Sequence, residues 1–169
     1  MASHPFTVDV LKLRRNPGTW VDVRREGPLG GLAISSAQVP EPGEVVVDVR
    51  LESVHGAILA RGRVEASWTG DCRRCLAPAG GHMVIGIQEL YEPGGDPELS
   101  YALTGDHIDL APMARDAILL ELPIAPVCDQ NCAGLCPVCG ADRNQSDCRC
   151  GTDFPDPRWS VLDELRDRT

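Results

Sequence analysis

An α+β fold, in which an antiparallel β-sheet is packed by one main helix and followed by a cysteine-rich C-terminal tail, is what the sequence predicts, on three observations. Residues 44–68 carry the two-residue alternation of paired strands, residues 109–122 carry a helical apolar stripe, and six of eight cysteines crowd into residues 128–150. A chain of 169 residues with 43% hydrophobic content can bury one ordinary core plus an appendage. The expected organisation is therefore a β-rich body over 1–127 and a tail over 128–169 that ends in a short helix.

In chain order, Asp9 to Arg15 reads as one or two helical turns stopped by Asn16-Pro17-Gly18. Trp20 to Glu26 then alternates Trp20, Asp22 and Arg24 against Val21, Val23 and Arg25, a short strand. The pattern is clearer over Glu44 to Val54, where Val45, Val47, Val49 and Leu51 share one face and Val46, Asp48, Arg50 and Glu52 the other. His55-Gly56 turns the chain, and residues 57–68 run back with Ile58, Ala60, Val64, Ala66 and Trp68 inward, completing a hairpin. Residues 82–91 alternate again and predict a third strand, so Cys72 and Cys75 fall in a connection at a sheet end.

Residues 92–107 hold two Pro, three Gly and several acids, and read as a mobile loop. Asp109 then caps a helix whose positions Leu110, Met113, Ala114, Ala117 and Ile118 follow the i, i+3, i+4, i+7, i+8 pattern until Pro123 and Pro126 end it. A last helix starts at Asp156-Pro157, with Trp159, Leu162 and Leu165 as its stripe; it either docks on its own domain or binds a partner.

The eight cysteines are Cys72, Cys75, Cys128, Cys132, Cys136, Cys139, Cys148 and Cys150, twice the ligand count of a closed tetrahedral thiolate zinc site. Cys136-Pro137-Val138-Cys139-Gly140 is a turn that sets two sulfurs on one side of an ion, and Cys148 and Cys150 supply two more. The economical solution closes the other four into a second site that staples tail to body. One zinc, or an arrangement with Cys132 beside Cys136 and Cys139, also satisfies the spacing. Disulfides fit poorly: the N-terminus lacks a signal-peptide pattern, which predicts a reducing cytoplasm. A redox-active Cys72-Arg73-Arg74-Cys75 needs a helix N-terminus, whereas Leu76-Ala77-Pro78-Ala79-Gly80-Gly81 follows and reads as a turn between strands.

Net charge is −9, which argues against a chain that coats nucleic acid with its whole surface. The charge is uneven, with ten basic against nine acidic residues in 1–74 and six against sixteen in 75–169. Any RNA-facing surface is expected among Lys12, Arg14, Arg15, Arg24, Arg25, Arg61, Arg63, Arg73 and Arg74, the alternative being a solvated arginine face. No apolar run approaches membrane-spanning length, so no membrane association is expected. There is no phosphate-binding glycine motif and no serine, histidine and acid set. His4, His55, His82 and His107 are scattered, and the reading is of a protein without catalytic activity or small-molecule substrate.

The succession DCRRCL at 71–76, IDLAPMARDAILLELPIAPVC at 108–128, NCAGLCPVCGADRN at 131–144 and DPRW at 156–159 resembles the YceD family, the large ribosomal RNA subunit accumulation proteins, and its actinobacterial-type members most. The likeness runs from about residue 6 to 166. It implies a role in accumulating 23S ribosomal RNA and in large-subunit assembly, and it supplies no catalytic residues. Some members lack the cysteine-rich tail, so the resemblance makes zinc a structural reinforcement rather than the shared function. The expected partner is a ribosomal RNA precursor or a large-subunit assembly intermediate met through the arginine-bearing face, with the acidic half turned toward a basic ribosomal protein. The alternatives are a zinc-dependent adapter for RNA processing or transcription, using the tail and Trp159, and a CxxC thiol-disulfide enzyme.

Overall fold

The computed structural model describes residues 5–96 and 98–151. Among these residues the elements run β1 (Thr7–Asp9), α1 (Leu11–Arg15), β2 (Trp20–Pro28), β3 (Ala37–Gln38), β4 (Glu44–Val54), β5 (Ala57–Asp71), β6 (Pro78–Glu92), β7 (Tyr101–Thr104), β8 (His107–Asp109) and α2 (Ala111–Glu121). The strands form one sheet of order β1-β8-β7-β6-β5-β4-β2, with β3 added against β5. Every pairing is antiparallel except β6 with β7.

The longest strands of the sheet, β4, β5 and β6, form two successive hairpins. His55 and Gly56 both take positive φ, 49° and 89°, the geometry whose twist matches that of the strands it joins. Val45, Val47, Val49 and Leu51 face inward from β4, with Ile58, Ala60, Val64 and Ala66 from β5. α2 lies on β5 and β6 and inserts Met113, Ala114 and Ile118 into the same core. Burying each aliphatic side chain of this layer contributes roughly 1.5–3 kcal/mol. The sheet is therefore firm enough to hold a site at its edge.

Several expectations need correction. β6 starts at Pro78 rather than at 82 and pairs with β5 along its whole length, from Asp71↔Pro78 to Ile58↔Tyr91. Pro78 opens the strand, where its missing N–H costs little. Gly81 reads as a turn residue but lies within β6 against Trp68, where a Cβ would meet the indole nitrogen at 3.0 Å. The segment 92–107, expected as a mobile loop, contains β7 and the start of β8. Leu103 is buried there, and the Tyr101 hydroxyl donates to the Asp116 carboxylate at 2.9 Å.

Residues 29–43, left without an element, place Leu29, Leu32, Ala37 and Val39 in the core. α2 begins at Ala111, two residues after the expected cap; the Asp109 carboxylate accepts the Ala111 N–H at 2.9 Å from just outside the helix. The helix expected from Asp156, with Trp159, Leu162 and Leu165, lies outside the described residues. No helix among the described residues is long and apolar enough to cross a membrane.

Candidate metal centres

The β5–β6 hairpin, fifteen residues on each side, ends in the six residues that carry the first CxxC. Here the Cys72 N–H donates to Ala77 O at 2.8 Å and the Leu76 N–H to Cys72 O at 2.9 Å. The second CxxC repeats the scheme: Cys136 N–H to Ala141 O at 2.8 Å and Gly140 N–H to Cys136 O at 2.9 Å. Both turns need a left-handed residue after the second cysteine. In the second it is Gly140, φ 73°; in the first it is Leu76, φ 62°, a conformation a leucine adopts only at a cost. Two chemically different sequences thus fold into one kind of sulfur-presenting knuckle.

The sulfurs gather into two tetrads, Cys72, Cys75, Cys128 and Cys132 (site I) and Cys136, Cys139, Cys148 and Cys150 (site II). In each, all four lie within 4.8 Å of one another. Within site I, Cys72 and Cys132 are 3.8 Å apart and Cys75 and Cys128 are 3.6 Å apart. Four sulfurs at a Zn–S distance of 2.3 Å stand about 3.8 Å from each other, whereas a disulfide needs about 2.0 Å. The spacing is that of a tetrahedral cage. It is also the partition in which the tail returns to the body, rather than the one with Cys132 beside Cys136 and Cys139.

The protonation pattern suits a cation. Backbone N–H groups, that of Cys128 foremost and those of Cys75 and Arg74 after it, pull the Cys72 thiol down to about 6 against the effect of burial. Those of Cys139 and Val138 do the same for Cys136, also to about 6. The neighbouring sulfurs, Cys75 first for Cys128 and Cys139 first for Cys150, push those two thiols up to about 12. One sulfur in each group is ready to be a thiolate; four cannot ionise together without a positive centre among them.

Residues 126–135 reach site I through a short set of bonds. Arg73 N–H donates to Pro126 O at 2.9 Å, and the Arg74 guanidinium donates to Gln130 O and Cys132 O, both at 3.0 Å. Leu135 N–H donates to Arg74 O at 3.0 Å. Gly134, φ 70°, lies so close that a Cβ would meet that same carbonyl at 3.0 Å. The loop that closes site II is tied to site I as well. Asn144 accepts the Ala133 N–H at 2.7 Å and turns its amide toward the Cys132 sulfur at 3.3 Å, while the Asp142 carboxylate holds Asn144 through its N–H at 2.9 Å and its amide at 2.7 Å.

The sites differ in exposure. Cys72, Cys75 and Cys132 are buried and share a small apolar cluster with Ala79, Trp68 and Leu135; in site II only Cys136 is buried. Asn144, Asp142 and Gly134 escaped the sequence reading. The Asp-Arg-Asn spacing of a side-chain-to-backbone turn was the available signal for the first two.

Arg14 and Arg15 lie on α1, Arg24 and Arg25 on β2, Arg61 and Arg63 on β5, and Arg73 and Arg74 in the first knuckle. On the outer face of the sheet the register sets Asp22 beside Arg50 and Asp48 between Arg24 and Arg63. Arg50 grips Asp22 through two bonds, 2.8 and 3.1 Å, and Arg63 reaches Asp48 at 2.9 Å and Glu65 at 2.6 Å. Arg14 pairs with Asp106 at 2.7 Å. These guanidinium groups already have anions. Trp159 lies outside the described residues.

A family model described as large ribosomal RNA subunit accumulation protein YceD matches residues 60–166. An uncharacterized protein of Mycobacterium tuberculosis is 32% identical over 171 residues, covering 95% of this chain and 81% of its own length; one of Mycobacterium bovis matches equally. A chloroplastic protein of Arabidopsis thaliana, named large ribosomal RNA subunit accumulation protein YCED homolog 1, is 38% identical over 61 residues, 36% of this chain and 19% of that protein. No solved structure matches.

Proposed function

Because the chain belongs to the YceD family, we propose that it is a non-catalytic factor for 23S ribosomal RNA accumulation and large-subunit assembly, built around two structural zinc ions. The observation that carries the metal half is the pair of sulfur tetrads, each gathered within 4.8 Å, with 3.6 and 3.8 Å separations in site I. Zinc suits an all-thiolate tetrahedral set, and four protein ligands leave no open position for chemistry, the mark of a structural rather than a catalytic ion. Cys72, Cys75, Cys128 and Cys132 would hold one ion and fasten the tail, 128–169, to the body, 1–127. Cys136, Cys139, Cys148 and Cys150 would hold the other and give shape to a segment poor in apolar residues. Site I takes the turn between β5 and β6 from the body and a loop from the tail, so metal binding and folding are one process there.

In the cytoplasm such a protein would act by binding, to a ribosomal RNA precursor or an assembly intermediate, with its acidic half facing a basic ribosomal protein. Depletion tests this. The ratio of 23S to 16S RNA should fall, with immature large-subunit particles accumulating, and an unchanged ratio refutes the proposal.

One observation favours the adapter reading. Leu76, Val138 and Ile124 are 67%, 55% and 87% exposed, the first two within the knuckles and the third just before the tail. Capture of a single protein that survives nuclease treatment would select this reading over RNA contact. For thiol-disulfide exchange the geometry offers less, because the lowered thiol, Cys72, is buried beside Cys132.

A further inference from the structure

We propose that the open edge of β6 takes an extended, lysine- or arginine-bearing segment of a partner protein as an added strand. The inference rests on the reading above that the acidic half meets a basic protein, and it gives that contact a place.

β6 runs for fifteen residues, and on one side it pairs with β5 throughout. On the other side β7 meets it only at Tyr91 and Glu92, so among the described residues no backbone bond reaches that side between Ala79 and Leu90. Natural edges are blunted by charges, prolines or bulges. β2, at the end of the sheet, follows that rule with Asp22, Arg24, Arg25, Glu26 and Pro28. β6 does not: from Ala79 to Gln88 it holds no Asp, Glu, Lys, Arg or Pro, and its register with β5 is unbroken by a bulge. Its side chains are incompletely covered as well. Ile85 and Ile87 pack against the core yet are only partly buried, and Val84 on the opposite face is 60% exposed. At Gly86 nothing beyond the chain neighbours comes within 4 Å of the place a Cβ would take, and a mid-strand glycine suits the close approach of another backbone. An added strand would satisfy the edge N–H and C=O groups and cover Ile85 and Ile87 with its own alternate side chains.

Charge decides what kind of strand. Residues 82–100 carry Glu89, Glu92, Asp96 and Glu98 and no Lys or Arg. None of the four makes an ion pair among the described residues. Asp116, on the helix that lies on β6, adds a fifth acid at the same end through its bond with Tyr101, the β7 residue opposite Tyr91. The neighbouring cations are turned elsewhere: Arg115 donates to Gly30 O at 2.8 Å and Gly31 O at 3.2 Å, and Arg63 is held by Asp48 and Glu65. Arg61, opposite Gln88 but one strand further in, stands against five acids. The edge therefore fits a segment with apolar residues at alternate positions and cations where it passes Glu89 and Glu92. RNA is repelled by this end. A second copy would bring the same acids on its own β6, and residues 152–169 hold five Asp or Glu against three Arg, so neither offers a cationic strand.

The test uses the full-length, zinc-loaded chain and short labelled peptides that alternate valine with threonine and end in arginines, serines or glutamates, read by fluorescence anisotropy and amide hydrogen exchange. The arginine peptide should bind best and the glutamate peptide least, and the amides that slow on binding should be every second one between Ala79 and Leu90. Replacing Glu89 and Glu92 together by Gln should weaken the arginine peptide roughly fivefold, the worth of two exposed ion pairs, and leave the serine peptide unchanged. Glu26→Gln, on the charged edge β2, should change neither. Protection at β2 instead, or equal binding of the three peptides, overturns the proposal. So does a free chain whose β6 amides are already protected, the protection being lost on dilution if a second copy holds the edge and on truncation after Gly151 if residues 152–169 do. Failure of every peptide to bind, alongside a lowered 23S to 16S ratio on depletion, overturns the edge and leaves the wider reading standing.

Discussion

Asn144 joins the two candidate metal centres, and its replacement by Ala isolates that link. The side chain gives two bonds to the site I loop, accepting from Ala133 N–H at 2.7 Å and donating to the Cys132 sulfur at 3.3 Å. A neutral hydrogen bond of this kind contributes roughly 0.5–1.5 kcal/mol, and one to a charged sulfur roughly 1.5–3. Asn144 is exposed, so water replaces part of what is lost and the lower ends apply, about 2 kcal/mol together. That corresponds to roughly a thirtyfold weaker hold on the metal, within the ten- to hundredfold range usual for groups that orient ligands. The assay is competition with a chromophoric chelator in a Cys139→Ser background, where only the tetrad from Cys72 to Cys132 is complete. Asn144→Asp keeps the acceptor for Ala133 but sets a carboxylate against a thiolate, and should weaken site I further than Ala does. If zinc leaves all three proteins with one affinity, Asn144 is a surface residue and the coupling argument is wrong.

Cys139→Ser should release one zinc of two while leaving the sheet's cooperative melting in place, whereas Cys132→Ser should lower the melting temperature of the whole chain because site I includes the β5–β6 tip; equal effects would show that the sites are not ranked as their burial suggests. Leu76→Gly removes a left-handed leucine that costs roughly 1–2 kcal/mol and is 67% exposed; allowing for the greater freedom of glycine in the unfolded chain, the zinc-loaded protein should gain about 0.5–1 kcal/mol in chemical denaturation. A loss of stability instead would mean that the side chain packs. Zinc affinity should rise with pH and collapse toward acid, because the Cys128 and Cys150 thiols, both held up at about 12, surrender protons when metal enters. Titration calorimetry in buffers of different ionisation heat reads that release directly, and heats independent of buffer would contradict it.

What could be read from the sequence followed from strong, local signals. The alternation of Val45, Val47, Val49 and Leu51 defines an inward face and so fixes the register of β4 against β5, since a one-residue slip would expose all four. The CxxC spacing imposes knuckle geometry whatever lies between the cysteines, so the tetrads could be anticipated by counting. The rest depended on partners far apart in the chain. β1, β7 and β8 are three or four residues long, too short to show a period, and exist because each completes the hydrogen bonds of a neighbour. Gly80 and Gly81 look like turn residues until they are seen within β6, against Trp68. The arginines read as a basic face because Asp22, Asp48 and Glu65 become their neighbours only once β2, β4 and β5 are side by side. Arg74 likewise looks like a surface charge, but its guanidinium closes over two tail carbonyls.

Metal content bears on the central claim most directly: native mass spectrometry of the freshly purified, reduced full-length chain, with thiols counted by an alkylating reagent before and after denaturation. The account predicts two zinc ions per chain, protection of the eight cysteines until the metal is stripped, and loss of the fixed tail when it is. A metal-free chain whose thiols all react at once, while its melting transition stays where the untreated protein's lies, would contradict it.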